Sequence, residues 1–324
     1  MNIIKIRHPY QSEQIPEDDV VLVLGFFDGV HIGHQKVIKT GMEIAQKEGL
    51  KLALMTFNQH PSIVFKKIDP SSVKYLTSLK QKEEKMAALG IDYLYEVDFT
   101  SSFAHLAPQE FVDQYIVGLH AKYAVSGFDY TYGPKDIADV AHFPEYAKGR
   151  FKIVTVSKEE EQGEKISSTR IRGLLDSGQV KEAAKLLGCT YEVEGVVVHG
   201  DARGRLLGFP TANVKVKSTV HLPKEGVYVS EIKIGETWYP AMGSIGHNDT
   251  FGEGRELTVE LYILDFNQDI YGEHVAVRWN QFLRDQVKFS SVEELIDVQL
   301  RTSEHRSMYS YVRLSIDRCT ATYV

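Results

Sequence analysis

The apolar pattern changes character near residue 190, and that change confines the chain to two architectures joined end to end. Ahead of it, residues 20–25, 51–57, 93–97, 123–126 and 151–156 read as buried strands. Residues 32–48, 77–89 and 108–119 read as helices between them, with Gly49 and Gly90 closing two and Pro108 opening the third. Strand–helix alternation predicts a parallel sheet with helices on both faces. Residues 170–187 form a helix-like boundary interrupted by Gly178. Beyond it, residues 191–199, 226–234, 237–242, 257–263 and 274–279 are short β-rich runs separated by Gly, Asn and Asp. Such runs predict a small antiparallel barrel. A last helix is expected over 291–301, capped by Ser290 or Ser291, with Glu293 and Glu294 in its first turn. The expected fold class is α/β: a parallel-sheet domain over 1–185, then a β-barrel domain over 186–324.

Length and composition agree with this division. The 324 residues suggest two domains, and 43% hydrophobic content is enough for real cores. A net charge of −7 argues against a general nucleic-acid surface but leaves room for a local basic phosphate pocket. The two cysteines, Cys189 and Cys319, have no metal-site spacing and fit a reducing compartment. No apolar run approaches the roughly 18–20 residues of a membrane span, and no secretory signal is visible. The expectation is a cytoplasmic protein, monomeric or weakly oligomeric, with no membrane or nucleic-acid partner.

Chemistry concentrates first at Gly25-Phe26-Phe27-Asp28-Gly29-Val30-His31-Ile32-Gly33-His34. A strand, a glycine-containing turn and a helix start bring backbone N–H groups and the positive helix end toward an anion. His31 and His34 sit where the helix begins, placed to donate to phosphate oxygens as charge builds. Taken alone, His-x-x-His could also be a metal pair or two surface histidines. Three further segments follow predicted strands or open the boundary helix: Asn58-Gln59-His60-Pro61, Gly127-Phe128-Asp129-Tyr130-Thr131-Tyr132-Gly133, and Ser167-Ser168-Thr169-Arg170-Ile171-Arg172. Ligands of parallel sheets bind at the carboxyl ends of strands, so the strand-end segments are expected in one crevice. The hydroxyls and arginines of the last segment suit a triphosphate, although Ser-Ser-Thr is also ordinary capping chemistry. His60 reads mainly as a brace for the turn with Pro61.

The first motif resembles the G-x-F-D-x-x-H-x-G-H signature of HIGH-type nucleotidyltransferases. Class I aminoacyl-tRNA synthetases share H-x-G-H but add a Lys-Met-Ser-Lys-Ser loop, which this sequence lacks. All four segments together resemble the FMN adenylyltransferase module of bacterial FAD synthetases, over roughly residues 18–185. The resemblance implies that FMN phosphate attacks the α-phosphorus of ATP and releases pyrophosphate. It implies catalytic roles for His31, His34 and Arg170. It implies ATP contacts at Gly25, Phe26, Phe27, Asp28, Gly33, Ser167, Ser168, Thr169 and Arg172. Flavin contacts are implied at Asn58, Asp129 and Tyr130, with the adenosine as the other substrate the Asp129 loop could bind. Asn58 departs from the acidic residue frequent in the family, and residues 134–139 lack the glycines usual in that loop.

In the second half, residues 200–213 read Gly-Asp-Ala-Arg-Gly-Arg-Leu-Leu-Gly-Phe-Pro-Thr-Ala-Asn. Gly200, Gly204 and Gly208 permit close backbone approach to phosphates, and the segment is neither a Walker A loop nor a G-x-G-x-x-G turn. A plain Gly-rich hairpin is the alternative. Thr211 and Asn213 offer hard oxygens suited to Mg²⁺. This stretch resembles the riboflavin kinase signature G-x-x-x-G-R-x-x-G-[FYI]-P-T-A-N, over roughly residues 186–305. The resemblance implies ATP contacts at Gly200, Arg203, Gly204, Arg205 and Gly208, and Mg²⁺ held by Thr211 and Asn213. It implies Glu260 as the base for the riboflavin 5′-hydroxyl. Ser244 and Asp249 depart from the Asn-Ile-Gly…Pro-Thr-Phe of the family. The expectation is a bifunctional enzyme with riboflavin, FMN and ATP as substrates and Mg²⁺ as cofactor. The alternative is an adenylyltransferase whose barrel only binds flavin or nucleotide. A purely structural protein would leave His31, His34 and the Ser168–Arg170 stretch without purpose.

Overall fold

The computed structural model describes residues 1–66, 68–200, 211–247 and 257–286. Packing divides it into two units, Met1–Ser168 and Thr169–Val324.

The first unit is a parallel sheet of six strands: β1 (Asn2–Ile6), β2 (Val20–Leu24), β3 (Lys51–Phe57), β4 (Tyr93–Val97), β5 (Ala121–Gly127) and β6 (Lys152–Val156). Their order is β1-β4-β3-β2-β5-β6. Every residue of β2 is buried, as expected for a central parallel strand covered on both faces. Val20, Leu22 and Leu24 enter one apolar core, and Val21 and Val23 enter the other. From β2 the chain moves outward through β3 and β4, then returns to place β5 on the other side. The order therefore reverses between β2 and β5, where open α/β sheets bind ligands.

Helix α1 (Ile32–Glu48) follows β2 and ends at Gly49, whose φ of 67° is the left-handed cap expected of glycine. At Gly41 an added Cβ would lie 2.5 Å from Val23 Cγ2, so α1 rests directly on the sheet. Four shorter helices follow: α2 (Ser62–Phe65), α3 (Leu79–Ala88), α4 (Ser101–Ala104) and α5 (Pro108–Val112). Ser78 and Gln81 form a reciprocal capping box at the start of α3. The helix expected over 108–119 widens partway: after α5, residues Asp113–Val117 form a π-type turn, with Gly118 N–H donating to the Asp113 carbonyl at 2.9 Å. Helix α6 (Phe143–Ala147) precedes β6, and the small hairpin β7 (Glu160–Glu161) and β8 (Glu164–Lys165) follows it. Strand β1 was not foreseen. Its first residues are exposed and it lies at the sheet edge, so the pattern of a buried strand is missing there.

The second unit begins with α7 (Ser168–Asp176, of which Ser168 belongs to the first unit) and α8 (Val180–Leu187), separated by Gly178 at φ 78°. A Cβ on Gly178 would meet the Phe282 ring at 3.1 Å. Six antiparallel strands then close a barrel: β9 (Tyr191–Val198), β10 (Thr211–Val216), β11 (Gly226–Ile234), β12 (Thr237–Gly246), β13 (Thr258–Ile263) and β14 (His274–Arg284). Their cyclic order is β10-β13-β12-β11-β14-β9. Strand β10 supplies the sixth wall and was not among the strands expected from the sequence. The helix expected over 291–301 lies outside the described residues.

Candidate active sites

In the first unit the turn after β2 is wound tightly and held from several sides. Phe27 and Val30 have φ of 56° and 45°, a left-handed backbone that bulky residues rarely adopt. Both side chains are buried at 2% exposure, so packing compensates for the strain. The Phe27 ring occupies the space a Cβ on Gly25 would need, 2.7 Å away, and meets His34 edge-on at 5.2 Å. Asp28 is equally buried, and its carboxylate accepts from the backbone N–H groups of Leu76 and Thr77 at 2.9 and 3.3 Å. Thr77 Oγ1 in turn accepts from Gly29 N–H at 3.1 Å. The Asp28 carbonyl accepts from Ser168 Oγ at 2.9 Å. Phe27 and Asp28 thus shape the turn from inside, while Gly25, Phe26 and Gly33 line its course.

The turn delivers His31 as the N-cap of α1. Its Nδ1 accepts from His34 N–H at 3.2 Å. That bond fixes the neutral tautomer with the proton on Nε2, which leaves one N–H donor. Gly33 permits this, since a Cβ there would lie 3.3 Å from the His31 ring. The His31 and His34 rings stack at 3.5 Å with 15° between planes. Burial pushes the His31 imidazole down to about 4. Burial, helped by the nearby His31 imidazole and the charges of Lys82 and Lys165, pushes His34 well below its ordinary value. Both rings are therefore neutral donors at physiological pH. His34 Nδ1 is buried with no hydrogen-bond partner among the described residues, a need that a bound ligand or water would meet. Among those residues no group of three or more His, Cys, Asp or Glu could hold a metal ion.

Strands β3 and β5 flank β2, and their carboxyl ends carry two more of the expected segments. After β3, both ends of the Asn58 amide are engaged: Nδ2 donates to Asp98 Oδ1 at 2.8 Å and Oδ1 accepts from Phe99 N–H at 3.0 Å. The amide suits this place, because a carboxylate at 58 would face the carboxylate of Asp98. His60 Nδ1 lies 2.7 Å from Ser62 Oγ and accepts from Ser62 N–H, bracing the turn into α2. After β5, exposed Asp129 pairs with Lys165 on β8, and the same ammonium lies over the Phe128 ring. Burial raises the Tyr130 phenol above its ordinary value. Ser167 and Ser168 close the first unit, and Thr169, Arg170 and Arg172 continue in the first turns of α7. Sequence reasoning missed Lys82, Asp98 and Lys165, whose local context carries no motif.

In the second unit Thr211 and Asn213 alternate with inward-facing Ala212 and Val214 along β10. Asn213 is opposite Glu260 of β13, itself flanked by buried Val259 and Leu261. Hydroxyl, amide and carboxylate thus share the outer face of the barrel, and Thr211 Oγ1 lies 3.4 Å from Glu260 Oε2. The Asn213 amide fills the space a Cβ on Gly200 would occupy, 2.2 Å from Nδ2, which explains the glycine. Ser244 is paired with Glu260 from the other side and accepts from Gln286 Nε2 at 2.7 Å. Arg203, Gly204, Arg205, Gly208 and Asp249 lie outside the described residues.

Comparison with known proteins matches both halves. Residues 13–170 fit the FAD synthetase family and residues 187–305 the riboflavin kinase family. A Listeria monocytogenes bifunctional riboflavin kinase/FMN adenylyltransferase is 45% identical over 97% of this chain and 99% of its own length. The Bacillus subtilis protein of that name is 40% identical over 92% of this chain and 94% of its own. A Streptococcus pneumoniae crystal structure described as a macrolide-efflux protein is 42% identical, with a TM-score of 0.84, covering 93% of this chain and 97% of that one. In the described residues no helix is long and apolar enough to cross a membrane. With a relative this similar along nearly its whole length, the chain belongs to the bifunctional riboflavin kinase/FMN adenylyltransferase family.

Proposed function

We propose that the chain carries out two successive ATP-dependent steps on a flavin. In the first, the riboflavin 5′-hydroxyl oxygen attacks the γ-phosphorus of ATP. The bond to the β-phosphate oxygen breaks, FMN and ADP form, and the hydroxyl proton passes to the Glu260 carboxylate. In the second, an FMN phosphate oxygen attacks the α-phosphorus of a second ATP, giving FAD and pyrophosphate. No covalent enzyme intermediate is needed. Positioning and hydrogen bonds to the developing charge carry this step.

The stacked neutral pair His31 and His34 at the head of α1 is the observation that carries the reading. Neutral imidazole N–H groups stabilise the charge that grows on the α-phosphate while holding the nucleotide in place. Gly25, Phe26, Gly33, Ser167, Ser168, Thr169, Arg170 and Arg172 complete the ATP contacts, with Phe27 and Asp28 supporting the turn. Asn58, Asp129 and Tyr130 serve the flavin. In the barrel, Gly200, Arg203, Gly204, Arg205 and Gly208 bind ATP. The hard oxygens of Thr211 and Asn213 share a face with Glu260, a donor set that fits Mg²⁺. When bound there, Mg²⁺ neutralises phosphate charge. The functional boundary lies near residue 185. The enzyme works in the cytoplasm, as a monomer or weak oligomer, without nucleic acid or membrane.

The test is a chromatographic product assay with the full chain and Mg²⁺-ATP. Riboflavin yields FMN and then FAD, and FMN supplied directly yields FAD. If FMN is converted while riboflavin is untouched under oxidising and reducing conditions, the barrel is a binding module.

A further inference from the structure

A lysine is buried beneath the first site, and the chemistry above does not use it. Lys82, on α3, is 4% exposed. Its Nζ donates to the Phe26 carbonyl at 2.9 Å and to Thr56 Oγ1 at 3.3 Å, and reaches the Phe57 carbonyl at 3.5 Å. Thr56 Oγ1 itself donates to the Phe26 carbonyl at 2.9 Å. An ammonium has three N–H groups and no acceptor, which matches a site made of three oxygens. The ammonium also lies 4.4 Å from the Phe26 ring centroid, and that ring meets His60 edge-on at 5.2 Å.

These contacts join two places the sequence keeps apart. Phe26 opens the turn that leads to His31. Thr56 and Phe57 end β3, immediately before Asn58. One buried cation therefore spans the carboxyl ends of two adjacent strands, from which the nucleotide loop and the flavin loop depart. We propose that Lys82 is a positioning residue for adenylyl transfer, tying the loop that ends in His31 to the loop that begins at Asn58. The proposal rests on the adenylyltransferase reading of this unit. It adds that the two reactants are held in register by a charge neither of them touches.

The titratable groups facing Lys82 are Asp28 from the turn after β2, Glu96 from β4 and His34 from α1. Glu96 is buried, its carboxyl is pushed up mainly by that burial, and Lys5 and Glu83 act on it in turn. Burial pulls the Lys82 ammonium down to about 8, with Asp28 and Glu96 opposing. The group is thus charged at neutral pH and loses its third N–H under mild alkali. Losing it removes a donor from one of the three oxygens and frees the two loops to move apart.

The experiment measures kcat and KM for both reactions between pH 6 and 10 in the full chain, comparing wild type, Lys82→Met and Lys82→Arg. In the wild type, kcat for FMN adenylylation falls above about pH 8. Lys82→Met lowers that kcat about 10²-fold and leaves it flat across this alkaline range, the scale set by an ångström of misplacement. Lys82→Arg removes the alkaline fall, because guanidinium stays charged. Riboflavin phosphorylation, in the other unit, is the internal control and stays within about twofold in every variant. Adenylylation by Lys82→Met within about threefold of wild type overturns the proposal, as does an alkaline fall that persists unshifted in Lys82→Arg. If Lys82→Met does not fold, the Lys82→Arg profile still decides. If the wild type makes no FAD from FMN, it is the adenylyltransferase reading that fails, not this one.

Discussion

The sheet unit and the barrel unit address the same co-substrate with opposite kinds of surface. In the first, the polar groups around the proposed site are sunk into the structure: His31 is 5% exposed, Lys82 4%, and Asp28 3%. They are held by a strained turn and by bonds from distant chain segments. In the second, Thr211, Asn213 and Glu260 stand half-buried on the outside of a barrel whose core is made by the residues between them. The contrast follows the chemistry. Adenylyl transfer needs fixed donors around a developing charge and no proton acceptor for the attacking phosphate. Phosphorylation of a hydroxyl needs a base that releases its proton afterward, and a half-buried strand face would give the proposed base, Glu260, access to solvent.

The comparison breaks most sharply at Glu260. Glu260→Gln is expected to slow riboflavin phosphorylation about 10³-fold while FMN adenylylation stays within about twofold, read by separate product assays. His31→Ala is expected to do the converse, lowering adenylylation about 10²-fold to 10³-fold with phosphorylation intact. Failure of either separation would mean that the units do not act independently.

Acid stability sharpens the same contrast. The folded His31 imidazole titrates near 4 against about 6.5 unfolded, so the unfolded chain binds more protons in that window. Stability from this group is fully present above pH 6.5 and is lost as pH falls toward 4. Between pH 7 and 5 the loss is about 2 kcal/mol, and urea unfolding of wild type against His31→Gln measures it. The smallest effect is expected at Gly200→Ala. The new Cβ would displace the Asn213 amide and lower kcat for phosphorylation about tenfold, with adenylylation unchanged.

Much of this was legible locally. The limits of α1 follow from its cap at His31 and from Gly49, and β3 and β4 follow from compact apolar runs. The histidine motif and the Pro-Thr-Ala-Asn stretch were visible because they are contiguous. What stayed hidden depends on distance along the chain. Nothing near Lys82 announces that Phe26 and Thr56 will surround it, and nothing near Asp28 announces Leu76 and Thr77. The fit of Asn58, a departure from the family's acidic residue, depends on Asp98, forty residues away. Strand β10 was obscured because its first residues belong to a glycine-rich signature, whereas its pairing with β9 and β13 is purely tertiary.

The neutrality of the two stacked imidazoles has a consequence for ionic strength. Mobile ions screen exposed full charges strongly and buried groups weakly. Capture of the polyanionic nucleotide by surface cations will therefore weaken as salt is added, while turnover at saturation, governed by buried dipoles, will hardly change. In a cell whose salt content fluctuates, such a site varies in how readily it fills but not in how fast it turns over once filled.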